Sequence, residues 1–166
     1  MKRGYTKEFY LELIEKIESR VNDFCLGMDV MAGFPGEDEK AFEETLEVVK
    51  KTKPLRVHIF PFSRREGTLA AQYHDWVNPK VIRERVTLLS ELASKVTAER
   101  KEDFIGRTLN VLIEEYHKPT QAFRGHTTHY LPVMVQSSKD LINQEVEVEI
   151  EELSGDYLMG KEKGVC

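Results

Sequence analysis

The chain has 166 residues, of which 40% are apolar and 32% are charged, with 24 basic residues against 29 acidic ones. This length and composition allow one ordinary domain or two small ones and exclude wholesale disorder. No apolar run approaches the roughly 20 residues that cross a bilayer, and no signal segment is recognisable, so we expect a cytoplasmic protein without a membrane partner. The two cysteines, Cys25 and Cys166, are too few for a disulfide framework or a cysteine-rich metal site.

The first part of the chain begins with a helix pattern followed by a strand pattern. Apolar residues recur at helical spacing behind Thr6, which is suited to cap a helix, and predict an amphipathic helix over residues 7–21. A nearly unbroken apolar run then predicts a buried strand over residues 24–32. We expect this strand to run into a tight loop, Gly33–Glu37.

A second helix and a second strand follow in the same order. Asp38 is suited to cap a helix that Lys53-Pro54 ends, and residues 56–62 form the next strand pattern. Strands that alternate with helices of this length indicate parallel pairing through right-handed crossovers, as in doubly wound sheets and α/β barrels. A polar loop over residues 63–77 leads to a third helix, predicted over residues 78–103.

The period of the apolar residues changes from 3.6 to 2 at Phe104. We therefore predict two domains: residues 1–103, with the α/β pattern, and residues 104–166, a small all-β barrel of four or five antiparallel strands. The second domain carries 6 basic against 10 acidic residues, compared with 18 against 19 in the first. This acidic balance argues against strong RNA binding by the second domain on its own.

Only two strands accompany the three helices of the first domain. Parallel strands are stable inside a covered sheet, so both predicted strands would have an open edge. Two strands also cannot enclose a catalytic site of the kind found where many strand ends converge in a barrel. The sequence therefore predicts a part of something larger, or self-association through the open strand edges.

Two loops follow the carboxyl ends of the predicted strands, where α/β proteins place their ligands. The glycines of Gly33–Glu37 would let the backbone approach a ligand, although a plain strand-to-helix turn with Glu37 and Asp38 beside the helix dipole is an alternative. The segment Ser63–Thr68 offers guanidinium and hydroxyl donors for a carboxylate or phosphate, and its alternative is a solvated loop. His58, inside the second strand, is interpreted as a core histidine.

Three ring-bearing residues mark the predicted barrel. His126 and His129 have a spacing that chelates a metal on a helix, but the surrounding pattern is that of a strand, so we predict no metal ligand. His129 and Tyr130 on a barrel surface would stack on bases, with ordinary packing as the alternative. The sequence contains no Ser-His-Asp set, phosphate loop or dinucleotide fingerprint, and no catalytic residue is predicted.

Six motifs stand out along the chain: Met1–Thr6, Asp29–Glu37, His58–Thr68, Phe104–Thr108, Gly125–Tyr130 and Gly155–Leu158. Together they resemble one family, the radical-SAM tRNA methylthiotransferases. The second predicted domain, residues 104–166, is similar to the TRAM domain that ends those enzymes. The resemblance therefore spans essentially the whole chain. The segments 58–68 and 125–133 are most similar to the branch that acts on threonylcarbamoyladenosine beside the anticodon.

The resemblance implies a fold, cofactors and site residues. The fold would be the end of a TIM-type radical-SAM barrel followed by a small all-β TRAM barrel of the OB-like kind. The complete enzymes use S-adenosylmethionine and 4Fe-4S clusters, and the TRAM domain helps to hold the tRNA. The residues implied in S-adenosylmethionine binding are Met31, Gly33, Phe34, Pro35, Gly36, Phe60, Ser63, Arg65 and Thr68. Those implied in RNA binding are Arg107, Arg124, His126, His129 and Tyr130.

The chain departs from this family pattern in one large respect. The Cys-x-x-x-Cys-x-x-Cys motif that anchors the radical cluster is absent, as are the preceding strands and the N-terminal cluster domain. We therefore predict that the chain alone forms no cluster and is inactive, and that its partner is the missing N-terminal half. His126 and His129 also stand where an aromatic residue and an asparagine are more usual. The alternatives are a stand-alone RNA-binding TRAM protein and a partner-dependent interaction module.

Overall fold

The computed structural model describes residues 3–163, which form two compact units divided between Thr97 and Ala98. Met1, Lys2 and Cys166, named above, lie outside the described residues. The predicted domain boundary after residue 103 stays a prediction. No helix in the described part of the chain is long and apolar enough to span a membrane.

The first unit is built on two parallel strands covered on one face by helices. Its elements are α1 (Lys7–Glu18), β1 (Gly27–Ala32), α2 (Glu39–Thr52), β2 (Arg56–Pro61), a short 3-10 helix (Leu69–Gln72) and α3 (Pro79–Glu102). The order of helices and strands matches the sequence prediction, and β1 pairs with β2 in parallel, from Gly27 opposite Arg56 to Ala32 opposite Pro61.

The two faces of this sheet differ in burial. Val30 and Ala32 point into a core formed with Phe42, Val49 and Leu89 from the covering helices. On the opposite face, which we call the open face, six strand residues in the described part of the chain are exposed or half-buried: Gly27, Asp29, Met31, Arg56, His58 and Phe60. The interpretation of His58 as a core histidine is wrong, because its strand position points away from the helices.

The first helix and strand are shorter than their patterns predicted. The helix ends at Glu18 rather than at residue 21, and Val21 is 48% exposed, so a further turn would bury little apolar surface. The strand begins at Gly27 rather than at residue 24, because its partner β2 starts only at Arg56, after Pro54.

The predicted starts and stops of α2 and α3 are confirmed. The Asp38 carboxylate accepts a hydrogen bond from the Ala41 N–H at 2.8 Å, and Lys53 ends α2 in the left-handed conformation at φ 39°. The Asn78 side chain accepts from the Lys80 N–H at 2.8 Å at the start of α3. The loop over residues 63–77 is not wholly irregular, because a Thr68 cap starts the short 3-10 helix within it.

The second unit is a closed barrel of five strands in the order β3-β4-β5-β7-β6. The strands are β3 (Thr108–His117), β4 (Ala122–Thr127), β5 (Pro132–Gln136), β6 (Glu145–Ser154) and β7 (Tyr157–Glu162). The predicted small barrel is thus confirmed. Its interior is filled by side chains that are at most 1% exposed, among them Val111, Ile113, Val133, Val135, Val148, Ile150 and Leu158.

Two features of the barrel differ from the prediction. The pairing of β5 with β7 is parallel, because an odd number of strands cannot close a ring with every neighbour antiparallel. The strand β4 gave no alternating apolar signal, since Gly125 provides no side chain at one of its inward positions. A Cβ atom on Gly125 would overlap the carbonyl oxygen of Leu112 on β3, so the neighbouring backbone occupies that space instead.

Candidate functional site

The loop after β1 is held by a buried ion pair. The Gly33 N–H donates to both carboxylate oxygens of Glu37 at 3.1 Å. Arg85, on α3, donates from Nη1 to the same carboxylate at 2.7 Å and to the Glu37 carbonyl at 2.9 Å. We call Gly33, Glu37 and Arg85 the loop clamp. It fixes the loop that follows β1 against α3.

Arg85 is the least expected residue of this site. It is 5% exposed, its Nη2 donates to Glu39 at 3.2 Å, and its guanidinium lies 5.0 Å from the centre of the Phe42 ring. The sequence contained a signal, because position 85 falls on the inward stripe of α3, one turn before Leu89. A charged residue on such a stripe requires a buried partner. Glu37 is that partner, so its carboxylate has a role beyond the predicted complement to the helix dipole.

The glycines of this loop are explained by contacts within the unit. Gly33 and Gly36 have φ of 82° and 81°, which favour glycine. A Cβ atom on Gly33 would overlap the Ile82 side chain, and one on Gly36 would lie 2.6 Å from the Asp75 carboxylate. The Gly36 N–H also donates to the Asp75 carbonyl at 2.9 Å. The end of the 63–77 loop is therefore fastened to the loop after β1.

The residues implied in S-adenosylmethionine binding fall into two groups. Met31 and Phe60 are register partners on the open face, and Phe60 is 39% exposed, so they form an accessible apolar platform next to the loops. Ser63 and Arg65 are exposed beyond β2. The Thr68 hydroxyl is already engaged, since it donates to the Arg65 carbonyl at 2.7 Å and accepts from the Ala71 N–H at 3.3 Å.

Four aromatic rings gather beside this edge of the sheet. The Phe34 ring lies edge-on to Phe62 and Tyr73, with centres 5.4 and 6.1 Å apart, and the Phe62 ring lies 5.9 Å from Trp76. We call Phe34, Phe62, Tyr73 and Trp76 the aromatic cluster. The Arg64 guanidinium lies 5.2 Å from the centre of the Trp76 ring. Phe34 therefore packs within the cluster, and Pro35 beside it is buried.

The outer surface of the barrel has two sides of different charge. The outward positions of β6 carry exposed Glu145, Glu147 and Glu149. The outward positions of β4 carry Arg124 and His126 instead. Five of the ten acidic residues in 104–166 therefore lie on β6, whereas the cationic side chains of β4 contact Glu114 and Glu115 on β3.

Arg124 is held in place by two neighbours. Its Nη2 forms an ion pair with Glu115, and its Nη1 donates to the Tyr157 hydroxyl at 3.2 Å. The hydrogen bond to Tyr157 and the nearby carboxylate of Glu115 raise the pKa of the Arg124 guanidinium. Arg124 is thus a fixed positive charge at any physiological pH.

The turn after β4 presents the most exposed ring of the barrel. Tyr130 is 75% exposed and adopts φ 59°, and its ring lies 6.3 Å from that of His126, which contacts the Glu114 carboxylate at 3.0 Å. The turn is fixed because the Thr127 hydroxyl accepts from two backbone N–H groups at 3.2 Å. These residues line a cleft of about 320 Å³ together with Asn110, Leu112, Thr128 and Glu145.

His129 and Arg107 lie together at a second place. The His129 ring is 6.3 Å from the ring of Phe104, and the Arg107 guanidinium is 5.0 Å from that ring. The structure therefore brings Tyr130 next to His126 rather than next to His129. No group of three or more His, Cys, Asp or Glu side chains among the described residues is arranged to hold a metal ion.

Comparison with known proteins defines the second unit first. Residues 102–162 match the TRAM domain family. A tRNA-2-methylthio-N(6)-dimethylallyladenosine synthase of Caldicellulosiruptor saccharolyticus is 35% identical over 161 residues, which cover 97% of this chain and 34% of that protein. The threonylcarbamoyladenosine tRNA methylthiotransferase of Bacillus subtilis is 35% identical over 153 residues, covering 90% of this chain and 34% of that protein.

The barrel is thus a TRAM domain, an RNA-binding module. Over 90–97% of its length the chain is similar to the C-terminal part of the tRNA methylthiotransferases. It spans about a third of the length of these curated relatives. Relatives of both nucleoside specificities match it, so the threonylcarbamoyladenosine branch stays a prediction.

Proposed function

We propose that this chain is the C-terminal portion of an enzyme that adds a methylthio group to a modified adenosine beside the tRNA anticodon. The first unit contributes the last strands of a TIM-type radical-SAM barrel, and the TRAM barrel holds the tRNA. The observation that carries this proposal is the match of 90–97% of the chain to methylthiotransferases. The open face of β1 and β2 supports it, because such a face would line the interior of a larger barrel.

The described residues fit part of an S-adenosylmethionine site. When bound, this cofactor supplies the radical and the methyl group of the reaction. The Met31–Phe60 platform offers apolar contact to a flat adenine ring, and the exposed Arg65 offers a fork of donors to a carboxylate. Ser63 adds a hydroxyl beside it. The loop clamp contributes by holding the backbone of Gly33 in place next to this platform.

The described residues do not fit a 4Fe-4S cluster. Such a cluster is held by several cysteine thiolates, whereas the chain has two cysteines, and Cys25 lies half-buried. We propose that the chain alone performs no radical chemistry. Incubation of the purified chain with ferrous iron and sulfide is expected to give no stoichiometric cluster absorbance. A stoichiometric cluster in this reconstitution would contradict the proposal.

The missing partner is the N-terminal half of the enzyme. In the described part of the chain β1 and β2 pair only with each other, so each has an unpaired outer edge. Strand addition at these edges would complete the sheet and cover the open face. Without that half, the same edges favour self-association of the chain.

RNA binding by the TRAM barrel is assigned to its β4 side. Arg124, His126 and Tyr130 lie there, and Arg107 and His129 lie by Phe104. Of the β6 glutamates, Glu145 lines the same cleft as His126 and Tyr130. A single-stranded anticodon loop offers phosphates to the arginines and unstacked bases to the exposed Tyr130 ring.

We expect the chain to bind an anticodon stem-loop RNA with an affinity that falls as salt rises. Arg107→Ala and Arg124→Ala should each weaken binding and lower the slope of log affinity against log salt by about 0.7, the value for one phosphate contact on a single strand. Fluorescence anisotropy of labelled RNA over a salt series measures both. Lys139→Ala is the matched control, since Lys139 pairs with Glu162 on another side of the barrel. Equal effects of all three substitutions would refute the assignment to the β4 side.

A further inference from the structure

The aromatic cluster of the first unit exposes more ring surface than packing requires. Tyr73 is 38% exposed and Trp76 is 41% exposed, although their neighbours Phe34 and Phe62 are half-buried. Leu69, on the same loop, is 63% exposed. The two inner rings therefore support a surface on which the outer two are displayed.

The loop that carries these rings is held on both sides. At its start, Thr68 caps the 3-10 helix through the Ala71 N–H. At its end, the Asp75 carbonyl accepts the Gly36 N–H at 2.9 Å, which fastens the residue before Trp76 to the loop after β1. The outer rings are thus presented from a fixed position at the carboxyl edge of the sheet. Fixed rings lose little conformational freedom when a ligand binds.

The charges on this loop favour an anion that also carries flat rings. Arg64 and Arg65 form no ion pair with a carboxylate among the described residues. The Arg64 guanidinium lies on the Trp76 indole instead, at 5.2 Å from its centre. A guanidinium on an indole marks an aromatic face that accepts a flat polarisable group, and a nucleobase is such a group. A nucleotide base would replace the guanidinium on this face of the ring, and the displaced Arg64 side chain would pair with the phosphate.

We propose that Trp76, with Tyr73 and Arg64, forms a second RNA contact, which stacks one unpaired base of the substrate RNA beside the carboxyl edge of β1 and β2. This inference rests on the proposed function, because it takes RNA as the substrate. It is separate from the TRAM contact, because it lies in the first unit. Its ligand is a nucleotide of a single-stranded loop, whose bases are free to stack, rather than a duplex.

Trp76 is the only tryptophan of the chain, so its fluorescence reports on this contact alone. The experiment titrates the full 166-residue chain with an unlabelled anticodon stem-loop RNA while tryptophan emission is recorded. A parallel titration with labelled RNA measures total binding by anisotropy. We expect saturable quenching of Trp76 with the same midpoint as the anisotropy change. A fully paired RNA duplex is the matched control and should leave the emission nearly unchanged.

Two variants sharpen the result. Arg64→Ala should weaken binding and lower the slope of log affinity against log salt by about 0.7, since it removes one phosphate contact, and it should reduce the quenching at equal RNA. Lys95→Ala removes a charge of the same sign from an exposed position of α3 and should leave both signals at the wild-type level. Circular dichroism of each variant verifies folding, and the titration of the unsubstituted chain needs no variant.

The outcomes separate this inference from the proposed function. RNA binding by anisotropy without quenching of Trp76 would overturn the second contact and leave the TRAM contact standing. Equal quenching by the loop and the duplex would also overturn it. If neither signal changes, the RNA-binding part of the proposed function fails together with this inference.

Discussion

Replacing Arg85 by alanine is expected to lower the free energy of unfolding of the first unit by about 3–5 kcal/mol, which is the usual cost of removing one partner from a buried ion pair. The Glu37 carboxylate is 11% exposed, so it would be left in the interior without its counter-charge. The Glu37 carbonyl would lose a donor at the same time. Denaturant unfolding followed by Trp76 emission measures this loss, because the only tryptophan lies in the first unit.

A control variant on the same helix tests whether the loss of stability comes from the buried ion pair or from any loss of an arginine on α3. Arg83, two residues earlier on α3, is exposed, and Arg83→Ala should change the free energy of unfolding by no more than about 0.5 kcal/mol. In the double variant Arg85→Ala with Glu37→Gln, the loss should be smaller than the sum of the two single losses, because the lone buried charge is gone. Additive losses, or an Arg85→Ala loss equal to that of Arg83→Ala, would mean that the loop clamp stabilises little.

Gly125→Ala is expected to destabilise the barrel by about 3 kcal/mol, at the upper end of the cost of overpacking. The added methyl group would overlap the Leu112 carbonyl and approach the Ile113 Cα to 2.9 Å. Backbone atoms cannot rotate away as a flexible side chain does. The strands β3 and β4 would therefore have to separate beside the β-bulge at Ile113 and Glu115. Thermal unfolding followed by circular dichroism at a strand wavelength measures the loss.

Gly27→Ala is the matched control for this substitution. Gly27 lies in a strand, has no positive φ, and a Cβ atom there would meet no atom within 4 Å. Its replacement should leave the unfolding temperature near that of the unsubstituted chain. A Gly125→Ala variant with unchanged unfolding temperature would show that β3 and β4 are not as closely apposed as described.

The first unit was predictable where local signals decide the structure. The ends of the helices follow from the capping residues Asp38, Lys53 and Asn78. The two apolar runs predict the strands. The start of β1 was predicted less accurately, because a strand begins only where its partner is present, and β1 pairs with β2 from Gly27 opposite Arg56. Burial of His58 could not be decided from its strand, since that depends on what covers each face of the sheet.

The barrel shows where periodicity stops being informative. Three strand patterns alternated clearly and β7 followed a turn signal, but β4 replaces an inward side chain by Gly125, so its signal disappears. The parallel pairing of β5 with β7 follows from ring closure by five strands, which is a property of the whole barrel and not of any segment. Sequence patterns predict strands better than they predict their neighbours.

The sequence was sufficient to locate the loops of the candidate site, but not to predict the side-chain contacts within it. The sequence located both loops at the carboxyl ends of the strands, but not the buried Arg85, which lies 48 residues from Glu37 along the chain. It likewise gave Trp76 no role, because the rings that support it come from three separate segments. The sequence grouped His129 with Tyr130, whereas in the structure the Tyr130 ring lies next to His126 and the His129 ring next to Phe104.

The most direct test of the central claim is the nucleoside composition of tRNA from cells in which the coding sequence of this chain has been deleted, measured by mass spectrometry. We expect loss of the 2-methylthio group from one N6-modified adenosine, with accumulation of its precursor that lacks this group. Which adenosine loses the group, the threonylcarbamoyl or the dimethylallyl form, would also decide between the two branches. Unchanged levels of every 2-methylthio nucleoside would contradict the assignment to a tRNA methylthiotransferase.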